Sequence, residues 1–305
     1  MPTAPDPEPP ASPTASAPPA PPATKRGGRM SAEAAVEEVP VWLEVNGVPL
    51  VTWMCTPDLL EELAIGWLAG EGYIESIDQV HLRPCGTDLG FWASVPEERF
   101  NAVRAEGRRP VLASGCGAVS TFLADPVTHP PEPPRGAPPP AERMRQLFKE
   151  MFQHGTRYRD TGGIHAAALT DGERLLGHAE DIGRHNAVDK VVGIATLARE
   201  QLAGRGLMVT GRISAELAFK GARAGIAWVA TPSVPSTLAL EIARRAGMVL
   251  VGRAVSGNPQ IWWPARSSVL DPTPPSSPSG GGEAGSGPSG DGEAGSGGPP
   301  GAVKG

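Results

Sequence analysis

The chain has 305 residues, and its 33 acidic against 27 basic side chains give a formal net charge of −6. This balance argues against general nucleic-acid binding but leaves room for a local basic site. No run of about 18 apolar residues occurs and no apolar stretch follows a basic N-terminus, so neither a transmembrane helix nor a secretory signal is expected. Cys55, Cys85 and Cys116 are too few and too scattered for a disulfide framework, which makes a reducing cytoplasm the expected compartment.

Glycine (39) and proline (35) are abundant, and the excess is concentrated at the two ends. Residues 1–29 are expected to form a disordered arm, since proline removes backbone donors and few apolar groups offset the entropy of ordering. Residues 266–305, with GEAGSG at 282–287 and again at 292–297, read as a disordered tail of flexible-linker composition. Between them the expected fold class is α/β. A smaller mixed N-terminal domain spans 30–128, a Pro-rich linker 129–140 and a layered α/β domain 141–265.

In chain order, Val39–Val45 reads as a strand, Asn46-Gly47 as a hairpin turn and residues 48–54 as the returning strand. Pro57 is expected to open a helix, with Leu60, Leu63, Ala64, Trp67 and Leu68 at helical spacing. Strand-like pieces follow near residues 89–95 and 110–113, and an amphipathic helix over 141–154. Residues 164–170 and 174–179 read as strands joined across Asp171-Gly172. Helices at 184–202, 213–224 and 235–246 then alternate with short apolar strands at 207–210, 227–230 and 248–252. That alternation implies a largely parallel sheet with ligands outside the carboxyl ends of its strands.

Five segments carry candidate chemistry. Ser114-Gly115-Cys116-Gly117 sets a thiol in an open, glycine-flanked turn whose amides favour a thiolate. A small buried residue in a tight turn is the alternative. His165, after Gly162-Gly163, reads either as a satisfied core histidine or as a ligand contact. The run Glu180-Asp181-Ile182-Gly183-Arg184-His185-Asn186-Ala187-Val188-Asp189-Lys190 places donors at a helix start, where unpaired amides suit a phosphate. A heavily capped surface helix is the other reading. Thr210-Gly211-Arg212 and Thr231-Pro232-Ser233 are two further polar strand-to-helix turns. Convergence of such turns on one sheet edge favours an extended, phosphate-bearing ligand. Neither GxxxxGK[ST] nor HExxH is present, and the H-x-E and P-C-x-x-C pair of zinc nucleoside deaminases is missing, so no metal-ligating residues are assigned.

These segments together resemble the formate dehydrogenase accessory sulfurtransferase family, FdhD/NarQ. The resemblance covers about 38–262. It rests on EVPVWLEVNG, TPDLLEELAIGWLAGEGYI, SGCG, TGGIHAAAL, EDIGRHNAVDK, TGRISAELAFK and SVPSTLALEIA in that order. It implies a cytoplasmic, usually dimeric protein with a C-terminal domain similar to cytidine deaminases but lacking their zinc site. It also implies a sulfur carrier. Such a carrier takes sulfur from a cysteine desulfurase as a persulfide and passes it to the molybdenum cofactor, as bis(molybdopterin guanine dinucleotide), before insertion into formate dehydrogenase. Carried over by position, Cys116 holds the persulfide. His165, Arg184, His185, Asn186, Lys190 and Arg212 are expected around the cofactor, together with the segment Arg253, Ala254, Val255, Ser256, Gly257 and Asn258. Two departures stand out. The family's C-x-x-C is Cys116-Gly117-Ala118-Val119 here, and Val255 and Asn258 replace arginines while Arg253 replaces an aromatic residue. The first keeps open a second reading, a cofactor-binding chaperone without sulfur transfer.

Overall fold

Alternating burial along β1 (Val39–Val45) seats Val41, Leu43 and Val45 on one face, against the apolar side of helix α1 (Leu60–Glu71). The computed structural model describes residues 35–105, 109–112, 119–122 and 136–263. The two expected tails, Cys116 and most of the 129–140 linker lie outside these residues. The Asn46-Gly47 turn forms as expected, with φ of 49° and 78°, and returns the chain into β2 (Val48–Cys55). With β3 (His81–Pro84) and β4 (Gly90–Ser94) these strands make a mixed sheet of order β2-β1-β4-β3, in which β1 and β4 run parallel.

Helix α1 begins at Leu60, three residues after the proline expected to open it. Tertiary contacts hold residues 56–58 out of the helix. The Thr56 amide donates to Asp181 Oδ2 (3.1 Å), the Thr56 hydroxyl accepts from the Ile182 amide (3.1 Å), and Asp58 pairs with Lys190 and Arg157. Sequence periodicity also missed β3 and helix α2 (Glu97–Ala105), which buries only Phe100 and Val103. Next come β5 (Arg109–Leu112) and β6 (Val119–Phe122), an antiparallel pair in which Leu112 faces Val119. Cys116 belongs to the connection between them.

Helix α3 (Ala141–His154) has the bounds expected from its pattern, and the short α4 (Thr156–Thr161) follows it. Eight further elements complete the described chain: β7 (His165–Thr170), β8 (Leu175–Asp181), α5 (Arg184–Leu197), β9 (Gly206–Val209), α6 (Ala215–Arg223), β10 (Trp228–Ala230), α7 (Thr237–Ala246) and β11 (Val249–Gly252), before the edge strand β12 (Gln260–Trp262). The second sheet has the order β12-β11-β10-β9-β7-β8. It is mixed where a largely parallel sheet was expected. Only β9, β10 and β11 are mutually parallel; β7 runs against β8 and β9, and β12 returns antiparallel to β11 after the 253–259 connection.

Alternate residues of this sheet face opposite layers. Ala167, Leu169, Leu207, Val209, Val229 and Leu250 pack with α5, α6 and α7. Ala168, Met208, Trp228, Ala230, Val249 and Val251 pack with Met144, Leu147, Phe148 and Met151 of α3. Each fully buried Val, Leu, Met or Phe among them contributes about 1.5–3 kcal/mol, and each alanine methyl under about 1 kcal/mol.

The first sheet joins the second through a backbone-to-backbone crossing of α1 and α5. A β-carbon on Gly66 would lie 1.7 Å from the Asp189 carbonyl oxygen, and one on Gly193 would lie 1.8 Å from that of Glu62. No described helix is long and apolar enough to cross a membrane.

Candidate functional site

Strand directions bring the polar turns to one edge of the six-stranded sheet. The parallel strands β9, β10 and β11 end there, at Val209, Ala230 and Gly252. β7 is antiparallel to β9, so its first residue, His165, stands at the same edge. Asp181, the last residue of β8, pairs with His165.

At this edge His165, Arg184 and Gly211 pack together. A methyl group on Gly211 would stand 3.2 Å from Arg184 Cδ and 3.5 Å from His165 Cε1, so both side chains pack directly against this turn. His165 Nδ1 lies 3.4 Å from the Thr210 hydroxyl, which accepts the Ala166 amide at 3.0 Å. Burial, followed by the positive charge of Arg184, lowers the His165 pKa and so favours the neutral imidazole. Arg184 is 7 % exposed and His185 4 %. His185 Nε2 is 3.2 Å from both Ser214 Oγ and Glu216 Oε2. Burial, with Lys220 and Arg184 nearby, pushes its pKa down to about 3. Its Nδ1 is buried without a hydrogen-bond partner among the described residues.

Helix α5 starts at this edge with Gly183 as N-cap, no side-chain cap and no acidic residue in its first turn. Asp181 Oδ1 instead accepts the Gly183 amide at 2.8 Å. This buried carboxylate beside the helix start offsets part of its partial positive charge. Arg212, on the Gly211 turn, is exposed and makes no ion pair with another described residue.

The segment 253–258 closes the far side. Arg253 is exposed and left-handed (φ 51°), a conformation costly for a residue with a β-carbon, and its amide donates to Ser233 O at 2.8 Å. Ala254 is fully buried and donates to Thr231 O at 2.9 Å. Val255, Gly257 and Asn258 are exposed, and the Ser256 hydroxyl accepts the Asn258 amide at 3.3 Å. Beside them a groove of about 420 Å³ is lined by Arg145, Phe148, Lys149, Phe152, Gln153 and Val255. The α3 residues of this groove were not among the sequence candidates. Arg145 and Lys149 are one helical turn apart, a visible signal, but the loop that α3 meets is a tertiary fact.

Asn186 and Lys190, grouped on sequence with the cofactor-binding residues, are engaged elsewhere. The Asn186 amide donates to Met54 O (2.9 Å) and Asp181 Oδ1 (3.0 Å). Lys190 Nζ, fully buried, reaches Asp181 Oδ2 and Asp58 Oδ1, each at 2.7 Å, and Thr56 O at 3.0 Å. Both tie α5 to the β2–α1 junction. The structure thus gathers His165, Arg184 and His185, with Arg212 on the Gly211 turn and 253–258 adjoining. Cys116 lies outside the described residues. Among those described, no group of three or more His, Cys, Asp or Glu side chains is arranged to hold a metal ion.

Comparison with known proteins puts a context around this edge. The model of the FdhD/NarQ family matches residues 36–267. A relative in Burkholderia mallei named sulfur carrier protein FdhD is 38 % identical over 245 residues, covering 75 % of this chain and 89 % of its own. Its namesake in Bacillus subtilis is 33 % identical over 229 residues, covering 74 % and 87 %. Among solved structures, a protein from Desulfotalea psychrophila described as a formate dehydrogenase accessory protein superposes with a TM-score of 0.57 at 25 % identity, covering 74 % of this chain and 87 % of that one. The match runs through both sheets and every turn of the polar edge, and on that extent the chain belongs to the FdhD/NarQ family.

Proposed function

We propose that this protein is a sulfur carrier serving a formate dehydrogenase, the role that its relatives' names describe. Cys116 accepts sulfur as a persulfide from a cysteine desulfurase and passes the outer sulfur to molybdenum in the bis(molybdopterin guanine dinucleotide) cofactor, which is the cargo. In the transfer the S–S bond breaks, the Cys116 thiolate is regenerated and the outer sulfur becomes a terminal sulfido ligand. The acceptor metal or an external reductant supplies the two electrons. The protein works in the cytoplasm as a homodimer.

The observation that carries this reading is the convergence of His165, Arg184, Gly211 and the 253–258 segment on one sheet edge, at the uncapped start of α5. Guanidinium groups and a helix N-terminus suit pyrophosphate oxygens. The adjoining groove, with Phe148 and Phe152 beside Arg145 and Lys149, suits a base and its phosphates. We take the three-layer domain to be a cytidine-deaminase-like scaffold that keeps a nucleotide site without a zinc centre. On this reading Asn186 and Lys190 act indirectly, by holding α5 in place.

The test loads the full chain with labelled sulfur from a cysteine desulfurase and reads Cys116 by mass spectrometry. The expected result is an adduct of one sulfur atom on Cys116 and loss of formate dehydrogenase activity in cells carrying Cys116→Ala. The chaperone reading, favoured by Val119 in place of a second cysteine, expects no adduct and full activity in that variant.

A further inference from the structure

We propose that Thr231 is the positioning residue that sets the spacing of the cofactor edge, an inference that rests on the cofactor reading above. Thr231 is fully buried and meets the ligand edge only through the backbone of its turns. Its hydroxyl donates to the Gly211 carbonyl at 2.7 Å and accepts the Ser233 amide at 3.0 Å, so its one proton and an oxygen lone pair are both engaged. Its own amide donates to Val251 O at 2.8 Å, and its carbonyl accepts the Ala254 amide at 2.9 Å.

One residue therefore ties all three turns. Gly211 is the surface on which Arg184 and His165 rest. The Ser233 carbonyl holds the amide of Arg253. Two more bonds brace the first turn against the second, Ile213 N to Val234 O at 3.3 Å and Ser236 N to Ile213 O at 2.9 Å, but neither reaches the third. A ligand spanning the edge from Arg184 to Arg253 meets a spacing that the Thr231 hydroxyl sets on the Gly211 side and main-chain bonds set on the Arg253 side. Without that hydroxyl the buried Gly211 carbonyl and the half-buried Ser233 amide lose their partner, which loosens the first turn against the second, while the backbone bonds from Thr231 and Ser233 to the third turn remain.

The experiment uses the full chain, GDP as the guanine-nucleotide probe, and amide hydrogen exchange without ligand. Thr231→Val, similar in volume but lacking the hydroxyl, is expected to weaken GDP binding about tenfold and to speed exchange at Ile213 and Ser233 together, leaving the β1–β2 hairpin unchanged. Thr231→Ser is expected to restore both within about twofold, because it keeps the same donor and acceptor. Faster exchange confined to Ser233, or faster exchange with unchanged GDP affinity, overturns the proposal. Should Thr231→Val fail to fold, wild type decides: saturating GDP slows Ile213, Ser233 and Ala254 by one common factor, and unequal factors overturn the coupling. Absence of GDP binding by wild type, or full binding by Arg253→Ala and Arg184→Ala, instead sinks the cofactor reading and the positioning role with it. The ligand-free exchange arm still reports whether the turns move as a unit.

Discussion

Lys190 Nζ stands 2.7 Å from Asp181 Oδ2 with neither side chain exposed, so the helix that starts at the ligand edge is fastened in its second turn to the strand end beside it. Asp58 shares the same ammonium. Breaking a buried pair from one side strands a charge, at about 3–5 kcal/mol. Lys190→Met is expected to lose stability in that range in urea unfolding. A nucleotide-contact role for Lys190 would instead lower GDP affinity and leave the unfolding midpoint in place.

His185 makes stability fall in mild acid. In the folded chain its pKa is held down to about 3 against an ordinary 6.5, by burial first and then by Lys220, Arg184 and His165. From about pH 6.5 down toward 3 the unfolded state binds a proton that the folded state refuses, so this contribution is full above 6.5 and drains away as the pH drops. Asp189, raised to about 6 by burial against the opposing pull of Lys220, with Glu71 and Glu216 adding to the rise, acts in the opposite sense between about 4 and 6. The informative quantity is therefore the difference between wild type and His185→Gln. Unfolding free energies at pH 7.5 and 5.0 are expected to differ less in the variant, and equal differences would show that His185 does not titrate in this way.

The two described thiols behave differently toward alkylation. Cys55 is fully buried, and burial, with Asp181 nearby, pushes its pKa up to about 12. At the end of β3, the Cys85 thiol has its pKa lowered by the Thr87 hydroxyl and by the Thr87 and Asp88 backbone. Iodoacetamide at pH 7 is expected to label Cys85 in the folded protein and spare Cys55 until denaturant is added. Labelling of Cys55 under native conditions would contradict its burial. Persulfide assays on Cys116 are best read in a Cys85→Ser background.

The α1–α5 crossing admits only hydrogen at two positions. Gly66→Ala would drive a methyl group into the Asp189 carbonyl and force the helices apart, at about 3 kcal/mol or more. Gly257→Ala, which meets nothing within 4 Å, is expected to change the unfolding midpoint little. Similar midpoints for the two variants would refute the close crossing.

Much of the fold was legible because local signals were strong. Asn46-Gly47 between apolar runs, the α3 stripe and the strand–helix alternation after residue 206 each needed only neighbouring residues to be read. β3 and β12 were missed because each is short and takes its conformation from a partner strand. The early helix start failed because Pro57 and Asp58 look like a helix opening, whereas Lys190 and Arg157, over 90 residues away, hold Asp58 in a turn. The same limit applies to the site. The sequence pattern marked Arg184, His185, Asn186 and Lys190 as one polar cluster. Which of them face the edge and which face residues 54–58 depends on where β2 packs, and that is not encoded within the motif.

Strand β6 opens at Val119, paired with Leu112, at the place where the motif resemblance leads one to expect a second cysteine. A β-branched residue suits a ladder position, and it offers no sulfur chemistry. On the proposed reading, cargo on Cys116 has no neighbour within its own motif to receive it and departs only by meeting another molecule. The protein is then a courier of fixed capacity: each round trip between donor and acceptor delivers one atom, and throughput follows the number of encounters.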